Sequence, residues 1–205
     1  MWPNSADTQE LLDKAKRGDG QAVEALLARH RDAVRRMIDL RLDPAIVQRV
    51  DASDVVQEVL LEASRRLREF LNKPAMPFHL WLRHIAKDHL IDAHRKHHQA
   101  KKRGVNREQP LAPAGWAAQS SLDLAGQLVD QELTPASAAI RHELERRLHA
   151  AIALLDEDDR EMIWMRHFEH LANQEVAAAL GLTEAAASMR YLRAVRKLRD
   201  LMTQE

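Results

Sequence analysis

The residues DASDVVQEVLLEASRRLREF (51–70), a short loop, and FHLWLRHIAKDHLIDAHRKHHQAKKR (78–103) decide how this chain folds. Apolar residues recur at three- and four-residue spacing through both stretches, which predicts helices over 51–71 and 78–103. Pro74 and Pro77 bracket the loop between them and keep the two helices separate. The first helix opens on acidic residues, as a helix N-terminus favours. The second starts apolar and ends in a dense cluster of positive charge. One half suits docking on a protein and the other suits nucleic acid, so the pair reads as a rigid bridge between the two.

The same helical spacing continues outward in both directions. Further helices are predicted over 6–17, 20–41, 135–154, 157–168, 173–180 and 184–201, and no segment alternates at period two. With 4% aromatic residues and six glycines among 205, the composition argues against a β-sandwich or barrel and for an all-α fold. The absence of cysteine removes disulfides and thiolate metal sites, as suits a reducing cytoplasm. The first residues, MWPNSADTQE, do not read as a secretory signal, and no apolar run approaches the length of a membrane span.

Lys and Arg number 31, balanced by 31 Asp and Glu, yet the charge is segregated. Between positions 79 and 107 eight Lys/Arg face two Asp/Glu, a net of +6, and six of the eleven histidines lie there. Between 184 and 199 five face one, a net of +4, whereas 130–161 holds nine acidic and four basic residues, a net of −5. Local sign rather than the sum steers a polyanion.

Residues 104–134, GVNREQPLAPAGWAAQSSLDLAGQLVDQELT, lose clear helical periodicity and gain Pro, Gly, Ala, Gln and Ser. They read as a flexible linker, in which Trp116 and the Leu122–Leu128 stretch suit either docking on a partner or a buried contact of the linker itself. As a coil they span roughly 30 Å, and about 100 Å when stretched. The expected organisation is therefore a helical domain at 1–103, a linker at 104–134 and a second helical domain at 135–205.

In the second domain LANQEVAAALGLTEAAASMRYLRAVRKLR fits a helix-turn-helix. Gly181 suits a left-handed turn residue, Leu182 a core plug and Thr183 the N-cap of the following helix. Ala187, Tyr191, Val195 and Leu198 share one face as a core stripe. Glu184, Ala185, Ser188 and Met189 are placed to meet base edges, and Arg190, Arg193 and Arg196 or Lys197 form a ridge suited to phosphates. A plain helical hairpin with a solvated basic face fits the same residues.

In the 78–103 helix, Phe78, Trp81, Leu82, Ile85, Leu90 and Ile91 fit a mostly buried stripe. Lys87, Arg95, Lys96, Lys101, Lys102 and Arg103 suit a phosphate backbone, and His84, His94 and His98 suit hydrogen bonding or base stacking. A solvated charge run is the plainer reading. His84 with Asp88, and His94 with His98, have chelating i,i+4 spacing, but no second cluster completes a metal site. No Gly-rich phosphate loop or GxSxG is present and nothing marks an active site, so neither catalysis nor a cofactor is expected.

Taken together these motifs resemble the extracytoplasmic-function, or group 4, sigma factors of bacterial RNA polymerase. DASDVVQEVLLEA resembles their D-A-x-D-x-x-Q-E motif of region 2.2, and FHLWLRHIAKDHLIDAHRKHHQ the F-x-x-W-L-x-x-I-A pattern of regions 2.3 and 2.4. LLDEDDREMIWMRHFEHLANQEVAAALGL with TEAAASMRYLRAVRKLR resembles region 4. The likeness covers about 8–103 and 136–201, in the family's order.

The resemblance implies a promoter-specificity subunit with no catalysis of its own. Asp51, Asp54, Gln57 and Glu58 would meet the β′ clamp helices of core polymerase, and region 4 the β flap. The Phe70–Phe78 loop, with Asn72 and Lys73, would take up the unpaired −10 strand, whose extracted base needs a rewarding pocket. Lys87, Asp92, Arg95 and Lys96 would line the −10 surface. Thr183, Glu184, Ala185, Ser188, Met189, Arg190, Arg193, Arg196 and Lys197 would serve the −35 element. An anti-sigma factor is the further partner the family implies.

The chain also leaves the family pattern. Where many relatives carry Thr-Val-Lys-Ser-Arg it has Ala186, Ala187, Ser188, Met189 and Arg190, and only the arginine matches. A serine usual before the first helix of the motif is Ala172, so Asn173 is expected to cap one residue later. Two other readings stand beside the leading one: a DNA-binding regulator that never touches polymerase, and a His/Asp metal-dependent hydrolase using residues 84–98.

Overall fold

The computed structural model describes residues 1–42, 51–101, 115–129 and 138–203, and these form two compact units, residues 1–111 and 112–205. The described residues are helical, without a strand. The first unit holds α1 (Ser5–Lys16), α2 (Gly20–Arg41), α3 (Ala52–Asn72) and α4 (Phe78–Lys101). The second holds α5 (Gly115–Val129), α6 (Ala138–Leu154), α7 (Glu157–Ile163), a π-helical turn (Trp164–Phe168), α8 (Asn173–Leu180) and α9 (Glu184–Thr203).

Short polar side chains set the helix starts. Asn4 accepts from the backbone of Asp7, Asp19 from Gln21 and Ala22, and Asp51 from Ser53. Each satisfies N–H groups that a first helical turn leaves without partners.

In the first unit, α2, α3 and α4 bury one common core. Val34, Met37 and Ile38 meet Val55, Val56, Val59, Ala63 and Leu67, with Leu82, Ile85, Ala86 and Leu90 from α4. At the loop end of the α3–α4 hairpin the core turns aromatic. Phe70 lies 4.8 Å from Trp81 and 5.6 Å from Phe78, and Phe78 is edge-on to the buried His30 ring at 4.9 Å. Such ring pairs add to area burial. They fix the loop carrying Pro74 and Pro77 directly onto the two helix ends.

The expected stripe on α4 needs one correction. Ile91 is 52% exposed, while Leu80 and Arg83 are buried. Positions 82, 85, 86 and 90 advance by three, one and four residues and face the core, which leaves 91 and 92 on the outer side. Lys102 and Arg103 lie outside the described residues, as do the side chains of His98 and Lys101.

In the second unit, α5 occupies half of the stretch read as linker. Ala117, Ser121, Leu124, Ala125 and Leu128 are buried along one face, against α6, α9 and the π-helical turn. Small residues make up much of that face, so its helical periodicity is faint in the sequence. Trp116 has no described side chain. The helix read at 157–168 is α7 followed by the π-helical turn, in which the Glu169 amide donates back to the Trp164 carbonyl at 2.9 Å. No helix of the described residues is long and apolar enough to cross a membrane.

Candidate protein and nucleic-acid interfaces

The outer face of α3 presents Asp54, Gln57 and Glu58 to solvent, one helical turn apart, while Val55, Val56 and Val59 anchor the opposite side. Asp51 sits at the head of this face as the N-cap, and its hydrogen bonds to Ser53 lower its pKa. Glu58 lies 3.6 Å from the His89 ring of α4. Leu61, three residues after Glu58, is 53% exposed and extends the acidic face with an apolar patch. Reading the stretch for charge alone passed over it. Glu62 is engaged by Arg66 at 2.6 Å and Arg65 at 3.6 Å, and the arginine contacts lower its pKa. The acidic face therefore stops where a basic one begins.

Asn72 ends α3 and Lys73 caps it, with the Lys73 amide donating to the Glu69 carbonyl at 3.2 Å. Both residues are exposed and follow Phe70 of the aromatic cluster by two and three positions in the chain. On α4, Asp92, Arg95 and Lys96 are exposed and Lys87 is half-buried. Asp92 pairs with Arg95 at 2.9 Å, which offsets part of that arginine's charge. Among the described residues no three His, Asp or Glu side chains gather as metal ligands.

The second unit carries a well-formed helix-turn-helix. Gly181 adopts φ +64°, and the Leu182 amide donates to the Ala177 carbonyl at 2.9 Å, closing α8. Thr183 accepts from the Ala186 amide at 3.2 Å and caps α9. The expected Asn173 cap is not formed. Ala172 holds the N-cap position, and its amide donates to Glu175 at 2.8 Å. The Asn173 side chain donates instead to the Glu184 carbonyl, 3.0 Å away. The bond reaches across the turn because α8 and α9 start close together, which a rule for one helix end does not capture.

The buried stripe of α9 is Ala187, Ala194, Leu198 and Met202, so Tyr191 and Val195 are its half-buried flanks rather than its centre. Tyr191 has polar work at that edge. Its hydroxyl lies 3.0 Å from Nε2 of His167, the two rings stack, and Arg166 sits 5.4 Å over the phenol face. Burial lowers the His167 pKa to about 4.

On the outward side Thr183, Glu184, Ala185, Ser188 and Met189 are all exposed, as a reading face requires. Leu192, 55% exposed one turn further on, joins Met189 there and was also passed over. The basic ridge divides. Arg193 and Arg196 are exposed and form no ion pair among the described residues. Arg190 meets Asp158 of α7 at 3.1 Å. Lys197 is bound by Asp156 at 2.8 Å and also by Asp159, whose carboxylate is largely buried. The Lys197 contact, with the backbone bond from Asp159, brings the Asp156 pKa down to about 2.

Comparison with known proteins places both arrangements in one family. The model of sigma-70 region 2 matches residues 26–100, and that of sigma-70 region 4 matches 145–198. The chain belongs to the sigma-70 family. It is an alternative sigma factor of the extracytoplasmic-function type, a transcription initiation factor and not an enzyme. The sigma-H factor of Pseudomonas aeruginosa is 27% identical to it over 91% of this chain and 89% of that one. The sigma-E factor of Haemophilus influenzae is 27% identical over 91% and 90%. The probable sigma factor RfaY of Xanthomonas campestris is 34% identical over 78% of this chain, but the match spans only 36% of that longer protein. Among solved structures, CnrH in complex with the cytosolic domain of CnrY aligns with TM-score 0.60 and 25% identity, over 95% of this sigma factor and 96% of CnrH.

Proposed function

We propose that the sigma factor docks on core RNA polymerase through the outer face of α3 and reads promoter DNA with both of its units. Asp51, Asp54, Gln57 and Glu58 address the β′ clamp helices, and the second unit addresses the β flap. Acidic and amide groups fit a surface rich in arginine, because charge-assisted hydrogen bonds to guanidinium are the stronger kind. Asn72 and Lys73 take up the unpaired −10 strand above the aromatic cluster, and Lys87, Asp92, Arg95 and Lys96 hold the neighbouring duplex. Thr183 and the α9 residues Glu184, Ala185, Ser188, Met189, Arg190, Arg193 and Arg196 serve the −35 element, with Lys197 seating the helix on Asp156 and Asp159. The polymerase- and −10-binding domain then lies within residues 1–111, the −35-binding domain lies within 112–205 with α5 packed into it, and the protein works in the cytoplasm.

The observation that carries this reading is the exposed row Asp54, Gln57 and Glu58 on a helix whose other side is locked into a core. A face of that kind keeps its geometry when it meets a partner. The test is binding of the full chain to core polymerase after reversal of two charges, Asp54→Lys with Glu58→Lys. Both positions are exposed, so the fold survives and circular dichroism should be unchanged. Affinity should fall more than tenfold; unchanged affinity would remove the assignment.

An anti-sigma factor is proposed as a second partner. CnrH, a solved relative, is in complex with the cytosolic domain of CnrY, and this sigma factor aligns along nearly all of that chain. Copurification of the tagged protein from its own cells, released when core polymerase is added in excess, would identify such a partner.

A further inference from the structure

The four-cation ridge of α9 is not uniformly available to DNA, and the first turn of α7 is the cause. Lys197 is gripped by two carboxylates, Asp156 and Asp159, the second of them largely buried. Removing an ammonium from a buried carboxylate is costly, so Lys197 stays as an internal anchor of α9 on α7. Arg190 is held differently. Its one ion-pair partner among the described residues, Asp158, is 68% exposed at 3.1 Å, while the arginine side chain is 26% exposed. An exposed pair of this kind contributes little and is readily exchanged.

We propose that Asp158 is an intramolecular stand-in for a DNA phosphate, occupying Arg190 and thereby setting how strongly the second unit holds duplex DNA. The proposal rests on the reading of α9 as a DNA-contacting helix. When duplex is absent, Asp158 offsets the Arg190 charge and leaves Arg193 and Arg196 as the cations of the ridge without an ion pair among the described residues. When duplex arrives, a phosphate must displace Asp158. The exchange weakens binding to every sequence by a similar factor, because it involves no base. Asp158 therefore sets affinity and leaves the ratio between promoter and other DNA unchanged. A sigma factor restrained in this way spends less time on chromosomal DNA while it is free of polymerase.

The helix dipole alone does not account for the arrangement. It favours any acidic residue in the first turn of α7, and Glu157 satisfies it equally. The distinction between the two residues gives the experiment its control.

The test is fluorescence anisotropy of the full chain with a short random-sequence duplex across a salt series, with Asp158→Asn, Glu157→Gln, Arg190→Ala and the double variant Asp158→Asn/Arg190→Ala. Asp158→Asn should tighten binding about two- to fivefold at low salt, the range an exposed ion pair supplies. It should also steepen the log–log salt slope by up to about 0.9, the value of one phosphate contact. Glu157→Gln should do neither, and in the Arg190→Ala background Asp158→Asn should have no further effect. An Asp158→Asn protein with wild-type affinity and slope would overturn the proposal. So would an equal gain in the Arg190→Ala background, which would mean simple repulsion of DNA by Asp158. Absence of binding by every variant, at low salt, would instead overturn the DNA-contacting role of α9 itself.

Discussion

The side-chain amide of Asn173, at the start of α8, donates to the backbone carbonyl of Glu184, at the start of α9, across 3.0 Å. The bond spans the turn between the two helices and fixes the direction in which α9 leaves it. Asn173→Ala removes this bond across the turn. Unit stability should fall by about 1 kcal/mol, and affinity for a −35 duplex should fall with it as α9 loses its fixed angle. Urea unfolding and duplex titration of the same variant check both effects; unchanged values for both would show that Leu182 and the core set the angle alone.

Gly181 holds φ +64° with open space around the position of an added Cβ. Gly181→Ala therefore meets no clash, and its cost is the backbone conformation alone, about 1–2 kcal/mol. Gly181→Asn, which tolerates the left-handed region better, should recover part of that loss. Thermal unfolding of the two variants gives the order Gly, Asn, Ala; alanine as stable as glycine would be inconsistent with the turn.

His167 is neutral in the fold because burial lowers its pKa to about 4, against 6.5 when unfolded. The unfolded chain thus binds more protons between those values, and stability must fall as pH drops from about 6.5 toward 4. Burial shifts His30 and His149 in the same direction, so they add to the same trend. Comparing urea midpoints of the wild type and His167→Gln at pH 7 and pH 5 isolates the one residue. The variant should lose less stability on acidification than the wild type does; equal losses would mean that His167 does not titrate in this window.

Leu61 stands on the outer face of α3 beside the acidic row, away from the core. Leu61→Ser should therefore leave thermal stability within about 0.5 kcal/mol of wild type, as surface changes do. Its affinity for core polymerase should drop severalfold, since a solvent-facing apolar patch beside a charged row is the usual form of a docking surface. A drop in stability without a drop in affinity would place Leu61 inside the fold instead.

How far the chain could be read in advance depended on whether a signal lay within one element or between two. Gly181 and Thr183 act locally, through a backbone angle and a cap, and their roles in the turn were visible as residue types. The apolar periodicity of 51–71 and 78–103 likewise gave α3 and α4. What escaped was set by neighbours. Asn173 looked like a cap until α9 stood beside it, and Tyr191 left the core stripe because His167 and Arg166 give it polar contacts. Arg190 and Lys197 looked alike on a helical wheel, yet α7 grips one firmly and the other loosely. α5 was hidden for another reason, since its buried face of alanine, serine and leucine differs little in composition from a linker.

The most direct test of the molecule's role is run-off transcription with core RNA polymerase on genomic fragments, with and without the full chain. A sigma factor built as described should give discrete transcripts only when the chain is present, each preceded by a shared pair of elements about two helical turns apart. Those transcripts should disappear with the Asp54→Lys/Glu58→Lys variant. Core polymerase that yields the same transcripts with and without the chain would contradict the assignment.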